Sequence, residues 1–193
     1  MSRLPILVLG LAFATPTLAD TTSLTTRGDY VSASYYSYGG GCAATYVTVS
    51  AYENVDHSSG SGAPTAAATA YAYVGNYDYC TGTFSYYYGT LDNVSLSAGG
   101  ATGSLSGSGT LYDYYSGAAL AVTVSATSGS EDGAYSGTSN SHSSTPGVTY
   151  HFRSHGSWSY GTATIVLNGT TYTQAGGGSF GRSSSGQLTI TEN

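Results

Sequence analysis

Period-two alternation of small or β-branched residues with hydroxylated ones constrains this chain more than any other feature. Between residues 44 and 53, Val47, Val49 and Ala51 fall on one side and Tyr46, Thr48, Ser50 and Tyr52 on the other, the pattern of a half-buried strand. The same reading predicts strands over 30–38, 82–91, 104–112, 118–126, 147–152, 157–167 and 187–191. Helix competes only at 65–70, where alanines have the best propensity and Pro64 suits a first turn. The segment runs on as Tyr71-Ala72-Tyr73-Val74 at period two, so strand is expected there too. Residues 20–30 read as a polar lead-in, 54–64 as a loop and 176–186 as a Gly/Ser-rich connection. Asn168-Gly169 tolerates the positive φ of a type I′ turn and predicts a hairpin in which Thr164 faces Thr173.

Many short strands without an amphipathic helix predict an all-β fold, a single antiparallel β-sandwich, with a closed β-barrel as the alternative. An outer-membrane barrel is disfavoured because the strands lack a continuous lipid-facing apolar band. Residues 1–19 carry Arg3, an apolar run from Leu4 to Phe13 and a small-residue end, the layout of a secretory signal cleaved after Ala19. Residues 20–193 then form one secreted or periplasmic domain without a transmembrane segment. In that setting Cys42 and Cys80 are expected to form a disulfide.

A hexapeptide occurs twice, Tyr77-Asp78-Tyr79-Cys80-Thr81-Gly82 and Tyr112-Asp113-Tyr114-Tyr115-Ser116-Gly117. Its Asp and Gly suit a turn between strands, so the copies are expected to be equivalent corners of one scaffold, each Asp accepting backbone N–H bonds.

Charged residues make up 7% of the chain, with four Lys and Arg against ten Asp and Glu, and lysine is absent. A phosphate backbone needs a Lys/Arg cluster, so nucleic acid is not an expected partner. Neutral hydroxylated ligands or self-association suit such a surface better. The 20 tyrosines point the same way. Tyr86-Tyr87-Tyr88 and Tyr35-Tyr36 are consecutive, so a strand must send neighbours to opposite faces and expose some of the rings. Tyr71, Tyr73, Tyr86 and Tyr88 form the expected ligand platform if their two strands are neighbours, since aromatic faces stack on sugar rings. Cross-strand pairing alone is the structural alternative.

No catalytic set emerges. Gly177-Gly178-Ser179-Phe180-Gly181 matches a nucleophile motif, but chance predicts about 0.6 such matches at this composition and no histidine follows it. His142, His151 and His155 lack enough converging ligands for a metal, and a turn at Ser154–Gly156 is expected to part the last two. Asp78, Asp113 and Glu131-Asp132-Gly133 show no calcium ligand string. No metal or other cofactor is expected.

The pattern Gly41-Cys42-x-x-Thr45-Tyr46-Val47-x-Val49, the two hexapeptides and Val122-Thr123-Val124 resemble a set of uncharacterised small secreted bacterial all-β proteins. The likeness covers about residues 30–126 and a His-containing segment near 150–155. It implies export and a disulfide, and no activity. The function expected is a non-catalytic secreted β-domain that binds a neutral surface ligand, polysaccharide above all, through tyrosines. A structural component of an extracellular matrix or surface coat is the alternative, and an enzyme of unknown class the third reading.

Overall fold

Alternation of buried and exposed residues runs through most of the chain. The structure, a computed structural model, describes residues 20–39, 41–58 and 65–191. The expected signal segment 1–19 and most of the expected 54–64 loop lie outside them. Nine strands are present among the described residues: β1 (Asp20–Tyr38), β2 (Ala43–Ser58), β3 (Thr65–Asp78), β4 (Thr83–Gly99), β5 (Thr102–Asp113), β6 (Ala119–Gly129), β7 (Gly133–Thr145), β8 (Val148–Leu167) and β9 (Thr170–Thr191). No helix among the described residues is long and apolar enough to cross a membrane.

The fold is all-β and antiparallel, as expected, in one sheet of order β6-β5-β4-β3-β2-β1-β9-β8-β7. A further pairing, Val124 with Leu167 through Ser128 with Ala163, joins β6 to β8 and closes eight strands into a ring. Only β7 stays outside, paired along β8. Closure pairs the edge of β6 and leaves β7 and residues 65–69 of β3 as edges.

Inside the ring the residues are small or branched: Val31 and Ala33 on β1, Val47, Val49 and Ala51 on β2, Ala70 and Ala72 on β3. Leu111, Val124 and Ile165 complete the opposite wall. β1 and β9 pack across the interior against β4, β5 and β6, so the ring has two facing walls as a sandwich does. Gly103 makes room for this, because a Cβ there would collide with Phe180 and touch Val31. The outer face carries Ser, Thr and Tyr, the reverse of what a lipid-embedded barrel needs. At one mouth Arg182 donates to both oxygens of Asp29, at 2.6 and 2.8 Å.

Several boundaries depart from the sequence reading. Residues 20–30 are the first half of β1, paired with β2 and β9 rather than a lead-in. β8 continues through Ser154 and Gly156 without a turn, so His151 and His155 share a face. Gly156 lies beneath the Trp158 ring, where a Cβ would clash. The stretch 176–186 is likewise strand. There Gly177 passes under the Ser34 carbonyl and Gly178 packs against Ser128. These glycines permit close approach instead of breaking strands. β7 had no alternating signal, because both of its faces are polar and exposed. The Asn168-Gly169 hairpin stands as expected, with φ of 49° and 83°, and Thr164 faces Thr173.

Candidate functional site: an aromatic cleft around Gly75

On the outer face of β2, β3 and β4 the pairing register sets residues side by side in rows. Tyr46, Gly75 and Tyr86 share one row, Thr48, Tyr73 and Tyr88 the next, and Ala44, Tyr77 and Phe84 the one on the other side. Tyrosine recurs at every second position of β3 at Tyr71, Tyr73 and Tyr77, and Gly75 interrupts it. The missing side chain, with Ala44 beside it, opens a cleft of about 620 Å³ whose lining includes Tyr46, Tyr73, Tyr77 and Tyr86 and carries no charged residue.

The wall is a chain of ring contacts. Tyr73 meets Tyr86 edge-on at 4.9 Å and Tyr88 at 6.1 Å. Tyr88 reaches Tyr114 at 6.5 Å, Tyr114 meets Tyr115 at 4.9 Å, and Tyr115 meets Phe84 at 4.7 Å. Phe84 then contacts Tyr77, and Tyr77 contacts Tyr79 at 4.2 Å. The rings are tilted to one another, so they form a grooved surface rather than a flat platform. Of the four tyrosines expected to act together, Tyr73, Tyr86 and Tyr88 line this cleft. Tyr71 lies one row beyond it, stacked with Tyr52 at 6.5 Å, and the hydrogen bond its hydroxyl donates to that neighbour raises its phenol above the ordinary range. The sequence reading overlooked Tyr36, Tyr46, Tyr77 and Tyr79. The available signal was the glycine placed at period two within a tyrosine row.

The repeated hexapeptides supply the rim. In each copy the Asp carboxylate folds the turn: Asp78 Oδ1 accepts the N–H of Cys80 (2.9 Å) and of Thr81 (3.1 Å). Asp113 Oδ1 accepts the N–H of Tyr115 (3.1 Å) and Ser116 (2.7 Å) and the Ser116 hydroxyl (2.7 Å). Gly82 and Gly117 close the two turns at φ of 69° and 70°, a conformation that glycine adopts without strain. The corners are therefore equivalent, and each one places tyrosines at the cleft. Asp113 adds one bond the first copy lacks, accepting the Tyr86 N–H through Oδ2 at 2.8 Å. That bond ties the rim to the wall. Cys42 and Cys80 are disulfide-bonded with Cα atoms 5.2 Å apart. The Tyr79 N–H donates to the Cys42 carbonyl, so the bridge anchors that ring. Desolvation among Tyr36, Tyr38 and Tyr77 pushes the Tyr79 phenol up.

Four carboxyls are held below their ordinary range by what they accept: Asp113 from Ser116, Asp78 from Thr81, Glu131 from Thr162, and Asp29 from Arg182. A depressed folded-state pKa stabilises fully above the ordinary values of 3.8 for Asp and 4.5 for Glu, and that contribution is lost as pH falls through the folded values. The melting temperature should therefore hold steady down to about pH 5 and fall below about pH 4. Equal melting temperatures at pH 3 and pH 7 would contradict this.

The other candidates are spread out. Ser179 sits mid-strand opposite Ser32 and Tyr160. His142 and His151 face each other at 4.5 Å, on the half of the sheet away from the cleft. Asp78 neighbours Cys42 and Cys80, but those sulfurs are bonded to each other and offer no thiolate. Comparison with family models, curated proteins and solved structures finds no match.

Proposed function

We propose that this chain is a non-catalytic extracellular or periplasmic β-domain that holds a neutral polysaccharide in the tyrosine cleft. The observation that carries the reading is the lining itself: aromatic rings without a charged residue surround a gap made by Gly75. Aromatic faces pack against the C–H faces of sugars while phenol hydroxyls bond the sugar hydroxyls, and the volume lies within the range of small-ligand pockets. The expected signal segment, the disulfide and the resemblance to small secreted bacterial proteins agree with export.

The oxidised protein, incubated with a panel of insoluble and immobilised neutral polysaccharides, is expected to be retained on one of them. Retention should weaken about tenfold or more when Tyr73 and Tyr86 are both replaced by Ala. No retention on any member would sink this reading.

A structural coat or matrix role is the second reading, favoured by one observation. β7 is an edge strand with no charged residue and no proline over 13 residues, and residues 65–69 of β3 pair only with β2. Natural proteins usually protect such edges. Light scattering that rises with concentration, together with no glycan retention, would select this role.

A further inference from the structure

Beyond the closed ring, an open half of the sheet continues the interior face, and its register sorts the basic residues there. His142 pairs with His151, which pairs with Leu188. Asn140, Arg153, Gly186, Thr25 and His57 form the next row, and Thr138, His155, Ser184, Arg27 and Val55 the one after. Paired residues point to one side and alternate along each strand. All four histidines and every arginine after residue 19 therefore share this face, in a chain of formal net charge −6.

The cations are not equivalent. Arg182 is held by Asp29, whereas Arg27 and Arg153 make no ion pair among the described residues. Between those two the floor is small: Thr25, Ser184 and Gly186. A Cβ on Gly186 would meet only Thr25 Cγ2, at 3.8 Å. The result is a recess of about 480 Å³ with Arg27, His57, Arg153 and His155 around it. Thr138 Oγ1 lies 3.2 Å from His155 Nδ1 and fixes that ring. The acids on this face are Asp29, committed to Arg182, and Glu53, one row beyond Arg27 toward the ring. β7, β8 and β9 bring no acid to the face; besides Arg153 and His155 they bring His142, His151 and Arg182.

The geometry points to a binding site for a tetrahedral oxyanion, a sulfate ester or a phosphate group, held between Arg27 and Arg153 over the Ser184–Gly186 floor. Guanidinium forks match the paired oxygens of such groups, and the Ser184 hydroxyl adds a donor. Four basic groups about one recess fit a single anionic group rather than the continuous phosphates of a nucleic acid. The recess exceeds a bare anion, so the group can be free or carried on a sugar.

The test is an NMR titration of the histidine side chains in the oxidised protein, at constant ionic strength, with inorganic sulfate, inorganic phosphate and a sulfated monosaccharide. Saturable shifts at His57 and His155 are expected, with a dissociation constant of about 1 mM or below for at least one probe. A sulfated sugar binding tenfold tighter than sulfate identifies a glycan as the source, and equal affinities a free anion. The Arg27→Gln/Arg153→Gln variant should melt as the parent does and lose binding at least tenfold. No saturable shift from any probe, or a shift that persists in that variant, overturns the site. Gly75→Tyr leaves this binding unchanged, which separates it from the cleft.

Discussion

Removing the Cys42–Cys80 bridge lowers the unfolding free energy by about 4 kcal/mol, the loop-entropy value for its separation of 38 residues. For a domain of this size that corresponds to a drop in melting temperature of roughly 8–16 °C. The bridge joins the β1–β2 connection to the first hexapeptide turn, whose two flanking strands belong to the cleft. Reduction therefore acts twice. It releases entropy to the unfolded chain, and it frees the corner that positions Tyr79 against Tyr38 and Tyr77. The Cys42→Ser/Cys80→Ser protein should remain all-β, because the ring closes through β6 and β8 on the far side of the molecule. Thermal melts of oxidised, reduced and double-serine protein, followed by circular dichroism, check the magnitude. A change below about 1 kcal/mol would show that the turn is held by its backbone bonds alone.

Gly75→Tyr should abolish glycan retention while leaving the fold at least as stable. Gly75 has an ordinary strand conformation on the outer face, and its virtual Cβ meets Tyr46 Cβ at 3.7 Å and Tyr86 Cδ2 at 3.8 Å, ordinary contact distances. A tyrosine there would complete the β3 row and fill the cleft. Replacing a strand glycine with an aromatic residue adds up to about 1 kcal/mol of stability. Loss of binding with a raised or unchanged melting temperature thus separates a blocked site from a damaged protein. Gly75→Ala adds a single methyl and should bind with little loss. Full retention by Gly75→Tyr would move the ligand away from the cleft.

Much of the architecture was legible because alternation is a local property. Val47, Val49 and Ala51 declare an inward face without reference to any partner strand, and the two Asp-containing hexapeptides declare their turns. Serine and glycine were harder to read. Gly156, Gly177 and Gly178 look like breaks in the sequence, yet they lie within long strands because a tryptophan ring, a carbonyl or a neighbouring strand occupies the space a Cβ would need. β7, hydroxylated on both faces, had no pattern to detect.

The same division holds for the sites. Strand alternation by itself determined that Tyr86 and Tyr88 would point one way and Tyr87 the other, the repeated hexapeptides that Asp78 and Asp113 would organise corresponding turns, and the composition that few charges would reach the surface. Which tyrosines stand side by side was decided by the register of β2, β3 and β4, which turns one glycine into a cleft. The same is true of the basic face. Arg27, His57, Arg153 and His155 are spread over more than a hundred residues, and only the pairing of β2, β1, β9 and β8 brings them around one recess. Alternation is set by backbone geometry within a strand, whereas register depends on how distant strands fill a common interior.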